Sequence, residues 1–308
     1  MYNEELKNKF ISECATTDST FKRARYLFNG SERFENMYGK DLCAISKDNI
    51  SEVVENIVGA RLGTQTVDLS MLRKYARWCI ENDVEGACDA LLEERSVDVQ
   101  KLRDTMVDSP KTLQDLFDYA FPPEVDGKAD NLCRGYFWMA FMGLEEKDSL
   151  QVTSDHVDLR NRVIRFNEKE YPIYNESIPT FRHLCIANSF FYDYVSREAI
   201  VPRVSGNKIL RGTGSSPEPK PDSIRRATNR KLATAVVDRK ISFKYSSLRL
   251  SGILYKMHQE EVFNGECNIK KWLLEYDPDA NNLEGRRRNR REEEFRTDYE
   301  RWKIAFKK

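Results

Sequence analysis

Apolar residues recur at spacings of three and four through much of the first hundred positions. The stripe that begins at Leu69 and ends at Ile80 is typical of one face of an amphipathic helix. The same kind of pattern predicts five helices in this part of the chain: Asn3–Cys14, Phe21–Phe28, Ile50–Ala60, Leu69–Asp83 and Ala87–Glu94. The sequence therefore predicts a small helical bundle.

The pattern changes after Ser109-Pro110, a dipeptide that breaks a helix. We place a domain boundary there, between residues 1–108 and 109–308. The segment Leu132–Met142 is nearly all apolar and aromatic, which indicates a buried helix, and Gly143 follows as a plausible stop.

Short runs rich in Val, Ile and Tyr follow this helix and predict a small antiparallel sheet. Two of them, RVIRFN and EYPIYN, are separated only by Glu168-Lys169, as in a hairpin. The Gly, Ser and Pro content of Arg203–Asp222 predicts a loop. The remaining helices are predicted at Thr112–Phe121, Pro179–Val195, Ser223–Val237, Tyr245–Glu260, Ile269–Glu275 and Glu292–Phe306. The expected fold class is mainly α with a small antiparallel sheet.

The composition is that of a globular protein with two domains. Apolar residues make up 40% and charged residues 32% of 308 positions, a balance that supports a substantial core. No apolar run is long enough to cross a bilayer, and the first ten residues are charged throughout, unlike a signal peptide. We therefore expect a cytoplasmic protein without a membrane partner.

Metal and cofactor chemistry have little support in the sequence. The seven cysteines are scattered and form no Cys-x-x-Cys pair, and the three histidines are dispersed. This pattern predicts reduced, mostly buried thiols, with neither a disulfide framework nor a zinc site. We expect no metal and no cofactor.

The net charge of zero hides an uneven distribution. Residues 201–308 hold 25 Lys plus Arg against 15 Asp plus Glu, whereas the rest of the chain is acidic. A basic segment can be a solvated face or a phosphate-binding surface. The candidate phosphate-contacting residues are Arg203, Lys208, Arg211, Arg225, Arg226, Arg230, Lys231, Arg286, Arg287 and Arg288.

Three segments together resemble the phage integrase, or tyrosine recombinase, family: GLEEKDSLQVTSDHVDL, RVIRFNEKEYPIY and ISFKYSSLRLSGILYKM. The N-terminal part, with FKRARYLF and LRKYARWC, resembles the helical, SAM-like core-binding domain of that family. The resemblance implies that residues 1–108 are a DNA-binding domain, that residues 109–308 are a catalytic-type domain, and that the partner is duplex DNA. Homo-oligomerisation on DNA stays open.

In that family a tyrosine hydroxyl attacks a DNA phosphodiester while two arginines hold the scissile phosphate. The resemblance assigns the second arginine to Arg249, a lysine to Lys169 and the nucleophile to Tyr299. Glu145 stands where the first arginine belongs, and Ser246 where the family has a histidine. A carboxylate would repel the phosphate, and a serine is no proton carrier near neutral pH.

Two hypotheses about function follow from these departures. In the first, which we favour, the protein is a non-catalytic or impaired relative that binds duplex DNA. In the second, it is an active recombinase in which Arg249, Lys169 and Tyr299 are the catalytic residues. A more distant alternative is a protein-interaction module whose basic tail contacts an acidic partner.

Overall fold

The computed structural model describes residues 1–59, 62–94, 99–121, 128–186, 189–194, 197–202, 204–212, 217–236 and 241–306. The chain divides into two compact units, Met1–Val99 and Gln100–Lys308, which are described separately.

The first unit is a helical bundle, as the sequence predicted. Its helices are α1 (Glu4–Cys14), α2 (Asp18–Tyr38), α3 (Lys47–Ile57), α4 (Leu62–Glu81) and α5 (Ala90–Glu93), with a 3-10 turn at Leu42–Ala44. One apolar core joins them, with an aromatic cluster of Phe10, Phe28, Tyr75 and Trp78.

Helix α2 is much longer than the predicted Phe21–Phe28. It begins with a capping box, in which the Thr17 and Thr20 side chains satisfy each other's backbone N–H groups, and it ends at Gly39 in the left-handed region. Its buried positions continue beyond Phe28 to Phe34 at helical spacing. The prediction ended too early because Gly30 and the polar residues after it hide this continuation.

The first unit also buries a charged network. Lys7 has no exposed surface, and its Nζ lies 2.5 Å from Glu35 Oε2 and 3.8 Å from Asp41 Oδ2. The Ser31 hydroxyl donates to Glu35 at 2.8 Å, and the Tyr75 hydroxyl donates to Asp41 at 2.8 Å. Burial raises the pKa of Glu35, and the ammonium of Lys7 opposes this shift. The buried charges are therefore paired and hydrogen-bonded, as burial in a core requires.

The second unit is mainly helical. Its helices are α6 (Pro110–Ala120), α7 (Lys128–Met142), α8 (Glu146–Ser149), α9 (Ile178–Ile186), α10 (Pro221–Ala235), α11 (Tyr245–Asn264), α12 (Ile269–Tyr276) and α13 (Gly285–Phe306). Its strands are β1 (Val157–Asp158), β2 (Val163–Phe166), β3 (Lys169–Pro172), β4 (Ser189–Tyr194) and β5 (Arg197–Pro202). The predicted fold class, mainly α with a small antiparallel sheet, is confirmed.

The predicted sheet consists of β1, β2 and β3 in that order, all antiparallel. Its hairpin turns at Asn167-Glu168, where both residues have positive φ, as a two-residue type I′ turn requires. The turn was predicted one residue later. Lys169 is therefore the first residue of β3, where it pairs with Phe166, and does not lie in the turn.

The helix predicted over Pro179–Val195 is wrong in its second half. Helix α9 ends at Ile186, and β4 then pairs with β5 in an antiparallel hairpin, with Ser189 opposite Pro202. The sequence SFFYDY is aromatic and suits a strand as well as a buried helix, and only its pairing with REAIVP decides between them.

Helices α7 and α11 form the centre of the second unit and approach very closely. A Cβ atom at Gly252 of α11 would lie only 1.6 Å from the Phe141 carbonyl oxygen of α7. No other residue type fits this crossing without displacing a helix. The crossing places the first two turns of α11 beside the end of α7 at Gly143.

Residues 100–108 belong to the second unit. The Trp302 Nε1 donates to the Val107 carbonyl at 3.1 Å, and the Val107 N–H donates to Ser251 Oγ at 3.2 Å. The division between the units therefore lies before the boundary that we placed at Ser109-Pro110.

Candidate functional site

Arg249 lies on α11 where the helix faces the ends of α7 and α12. Its Nε donates to the Gly143 carbonyl at 2.9 Å, its Nη1 to the Tyr276 carbonyl at 2.9 Å and its Nη2 to the Glu275 carbonyl at 3.1 Å. The side chain is only 14% exposed. The guanidinium therefore binds backbone oxygens with each of its three nitrogens.

Glu145 lies next to this guanidinium. It is the residue before α8, and its Oε1 is 4.0 Å from Arg249 Nη2, while its Oε2 is 3.1 Å from Lys147 Nζ. The position at which the family resemblance expects an arginine thus carries a carboxylate, in contact range of the second arginine.

These residues line an open cleft of about 460 Å³. Its lining is Glu145, Glu146, Lys147, Tyr245, Ser246, Arg249, Tyr276, Asp277, Pro278 and Asp279. Four carboxylates and two cationic side chains belong to this lining, and Arg291, which lies outside it, pairs with one of the carboxylates, Asp277, at 2.9 Å. Ser246 lies in this lining, and it supplies a hydroxyl where the resemblance expects an imidazole. The balance of formal charge remains negative, which disfavours a phosphate.

Lys169 is not part of this lining. It lies at the start of β3 and is exposed to solvent.

Tyr299 lies in the core of the second unit, on α13. It is 1% exposed, its ring stacks on Trp302 with centroids 6.3 Å apart, and its hydroxyl donates to Glu261 at 2.6 Å. Burial, followed by the hydrogen bond to Glu261, raises the pKa of the Tyr299 hydroxyl. A nucleophile needs an accessible oxygen that deprotonates readily, and this environment disfavours both. Tyr299 is also absent from the lining of the cleft.

The basic residues of α10 fall into two groups. Arg226 and Arg230 are one turn apart on the exposed face, opposite the buried Ile224, Thr228 and Leu232. Arg225 and Lys231 have local partners: the first forms an ion pair with Asp222 at 2.8 Å, and the ammonium of the second lies 5.2 Å from the Phe121 ring centroid. Arg226 and Arg230 are thus the two residues of α10 best placed for an external anion.

The predicted loop contributes two of the expected cations. Lys208 forms a β-bridge with Thr153, and its ammonium lies 3.1 Å from Glu218. Arg211 donates to the Gly206 carbonyl at 2.9 Å. Arg203 lies outside the described residues.

The second basic cluster forms the first turns of α13, which begins before the predicted Glu292. Arg286 and Arg287 are exposed, whereas Arg288 forms an ion pair with Glu292 at 3.3 Å. No acidic residue lies in the first turn of this helix, although Glu284 directly precedes it.

Sequence reasoning missed a basic and aromatic surface on α2. One side of this helix carries four exposed basic or aromatic side chains: Lys22, Arg25, Tyr26 and Arg33. The Arg25 guanidinium lies 5.4 Å from the centroid of the exposed Phe21 ring. The signal was the segment FKRARYLF, in which basic and aromatic residues alternate, as on many surfaces that bind nucleic acids.

Within the residues that the structure describes, no group of His, Cys, Asp and Glu side chains could hold a metal ion. In the same residues, no helix combines the length and apolar character needed to cross a membrane.

Residues 1–81 match a family model described as the N-terminal core-binding domain of MrpR. A comparison with curated proteins found no match. The first unit is thus similar to a core-binding domain, and the predicted resemblance to the phage integrase family is confirmed there.

Several solved structures are similar over most of the chain. A structure of XerA recombinase is 12% identical and covers 88% of this chain and 87% of its own, with a TM-score of 0.37. The Tn1549 transposon integrase in complex with circular intermediate DNA is 13% identical, with 94% and 98% covered and a TM-score of 0.36. The integrase from mycobacterium phage Brujita is 12% identical, with 97% and 91% covered and a TM-score of 0.35. Likeness at this level assigns neither an activity nor a ligand to this chain.

Proposed function

We propose that this protein binds duplex DNA and does not cleave it. The observation that carries the proposal is the chemistry of the cleft around Arg249. Four carboxylates line it, and the arginine that should hold the scissile phosphate is bound to three backbone carbonyls instead.

Cleavage by a tyrosine requires positive charge where negative charge develops on the phosphate. A carboxylate about 4 Å from a phosphate oxygen costs roughly 1 to 4 kcal/mol, depending on solvent screening. Glu145 would repel the scissile phosphate in this way. Ser246 cannot replace a histidine in moving a proton. The buried Tyr299 supplies no accessible hydroxyl.

DNA binding is supported by the exposed arginines of the second unit and by the core-binding similarity of the first. Arg226 and Arg230 on α10 and Arg286 and Arg287 on α13 are exposed, with no acidic residue in the first turn of α13. Such side chains bind phosphates without reading sequence. Other predicted DNA contacts already have partners within the chain, and we retain them, together with Arg203, as weaker candidates for DNA contact. They are Lys208, Arg211, Arg225, Lys231 and Arg288.

The remaining elements of the function are also proposals. We retain an N-terminal DNA-binding domain and a C-terminal catalytic-type domain, with the boundary moved from residue 108 to that of the two units, Met1–Val99 and Gln100–Lys308. We also retain a cytoplasmic location and assembly of copies on DNA. Each follows from the sequence and from the family resemblance.

Two measurements on the full chain test the proposal. Fluorescence anisotropy with labelled duplexes, including end sequences of the genetic element that encodes the chain, should show saturable binding that weakens with salt. Nicked suicide duplexes should then yield no covalent protein–DNA adduct on denaturing gels, although the same duplexes are bound.

An adduct that disappears in Tyr299→Phe would replace the proposal with the active recombinase. Absence of any DNA binding at low salt would refute both and would favour the protein-interaction module. An active tyrosine recombinase assayed in parallel on its own suicide substrate serves as the positive control for adduct detection.

A further inference from the structure

We propose that Arg249 and Lys256 are positioning residues for DNA binding, which hold the C-terminal end of α12 and thereby place Arg286 and Arg287 for phosphate contact. This inference rests on the proposed function, because it assumes that the start of α13 meets DNA. We call the cluster of Arg249, Lys256 and the last two residues of α12, Glu275 and Tyr276, the latch.

The first part of the latch is the bonding of Arg249 to the last carbonyls of α12. The C-terminus of a helix carries partial negative charge and unpaired carbonyl oxygens, which a cation stabilises. Arg249 donates to the carbonyls of Glu275 and Tyr276, and its third bond, to Gly143, ties the same point to the end of α7. One guanidinium thus connects three helices.

The second part is Lys256, two turns further along α11. Its ammonium donates to the Met142 carbonyl at 2.9 Å and lies 3.2 Å from Glu275 Oε1. The side chain is only 15% exposed. Lys256 therefore makes a connection similar to that of Arg249: it joins Met142, the last residue of α7, to Glu275 of α12.

The Tyr276 ring extends the latch to α13. The Arg249 guanidinium lies 5.3 Å from the centroid of this ring, and Phe295 of α13 stacks on it with centroids 5.9 Å apart and an interplanar angle of 22°. The next residue, Asp277, accepts two hydrogen bonds from Arg291 of α13, at 3.1 and 2.9 Å. The position of the first turns of α13 therefore depends on the end of α12.

Arg249 and Lys256 are poor candidates for direct DNA contact. Both side chains are largely buried. Arg249 bonds to three backbone carbonyls and lies 4.0 Å from Glu145, and Lys256 bonds to one carbonyl and to Glu275. Their expected effect on DNA affinity is indirect, through the exposed Arg286 and Arg287.

A double-mutant cycle separates an indirect effect from a direct one. The duplex affinity of Arg249→Met is compared with that of the parent, and again in a background with Arg286→Gln and Arg287→Gln. We expect a loss of at least about tenfold in the parent and less than about twofold in the doubly substituted background. Equal losses in both backgrounds would overturn the proposal, because Arg249 would then act independently of the arginines on α13.

Conservative and second-site variants guard against a variant that fails to fold. Arg249→Lys keeps the charge but loses the fork of donors, so its affinity should lie between those of the parent and Arg249→Met. Lys256→Met should follow the same pattern in the cycle. Lys111→Met removes an exposed cation of the second unit that pairs with Asp115 and lies outside this cleft, so it should leave the affinity unchanged. A loss equal to that of Arg249→Met would point to general electrostatics and contradict the latch.

Hydrogen exchange without DNA tests the latch separately from the proposed function. In Arg249→Met, amides of residues 278–292 should exchange faster, while those of α10 remain as in the parent. Unchanged exchange in 278–292 would overturn the latch. If exchange rises but Arg286→Gln and Arg287→Gln leave DNA affinity unchanged, the link from the latch to DNA fails and the DNA surface itself must be reassigned.

Discussion

The Tyr299 hydroxyl donates a 2.6 Å hydrogen bond to Glu261 Oε2. Tyr299 is the residue that the sequence suggested as a nucleophile, and this bond holds it in the core. Lys303 adds to the arrangement, since its ammonium lies 3.1 Å from the same carboxylate and 4.6 Å from the Tyr299 ring centroid. The bond therefore joins α13 to α11 and has a structural role.

Replacement of Tyr299 by Phe should accordingly reduce stability and leave DNA affinity unchanged. Loss of a hydrogen bond to a charged group typically costs about 1.5 to 3 kcal/mol, and here the value should fall at the lower end because Lys303 still pairs with Glu261. Urea unfolding followed by circular dichroism measures the first effect, and anisotropy with a duplex measures the second. A large loss of DNA affinity in a stably folded Tyr299→Phe would contradict the structural role.

The same carboxylate gives a pH dependence. The hydrogen bond from Tyr299, and then Lys303, lowers the pKa of Glu261 below its ordinary value. A carboxyl with a lowered folded-state pKa contributes stability that is complete above its unfolded pKa of about 4.3 and is lost as the pH falls through the folded value. Glu261→Gln should therefore be less stable than the parent at pH 7, by about 1 kcal/mol after solvent screening, with the difference shrinking below pH 4. Unfolding curves at pH 7, 5 and 3 provide the comparison, and a constant difference across this range would be inconsistent with the linkage.

Gly252→Ala should destabilise the second unit severely. The added Cβ would meet the Phe141 carbonyl at 1.6 Å, a contact that forces α7 and α11 apart. We expect a loss of roughly 3 kcal/mol or more, the range of severe overpacking. Thermal unfolding with intrinsic tryptophan fluorescence would detect it through Trp138 and Trp302.

Gly30→Ala serves as the matched control for that variant. Its added Cβ would lie 3.4 Å from Ile57 Cγ2, an ordinary contact, within the long helix α2. Because Ala has the higher helix propensity, this change should be neutral or stabilising by up to about 1 kcal/mol. Equal destabilisation by the two substitutions would show that the close crossing at Gly252 is unimportant.

Lys7→Met should destabilise the first unit, because it leaves the buried Glu35 and Asp41 without their cation. Removal of one partner from a buried ion pair typically costs about 3 to 5 kcal/mol. Lys22→Met removes an exposed lysine whose partner is Asp18, and it should cost less than about 0.5 kcal/mol. Chemical unfolding of both variants checks the contrast, and similar losses would mean that the buried network is not a stabilising element.

Arg226→Gln with Arg230→Gln should weaken duplex binding similarly for all sequences. Each phosphate contact contributes about 0.9 to the slope of log affinity against log salt, so the double variant should lower the slope by about 2. Lys111→Gln removes a cation already paired with Asp115 at 2.7 Å and should leave the slope unchanged. An unaltered slope in the arginine variant would remove α10 from the DNA surface.

The local pattern of the sequence determined most of the segments that become helices, among them the apolar Leu132–Met142 segment. It determined the hairpin near residue 168 as well. It also determined the excess of positive charge in the last third and the absence of an arginine and a histidine at Glu145 and Ser246. These properties are local: they depend on spacing, turn chemistry and residue identity, all of which are present in the chain itself.

Only the tertiary structure decided what the matched residues do. Arg249 fits the motif by sequence, but the approach of α7 and α12 gives its guanidinium three carbonyl partners. Tyr299 fits a terminal helix by sequence, but packing against α11 buries its hydroxyl. The strand at Ser189–Tyr194 was missed for the same reason, since its partner comes from a separate segment. Hydrogen-bond partners and burial are set by residues distant in sequence, and no local pattern specifies them.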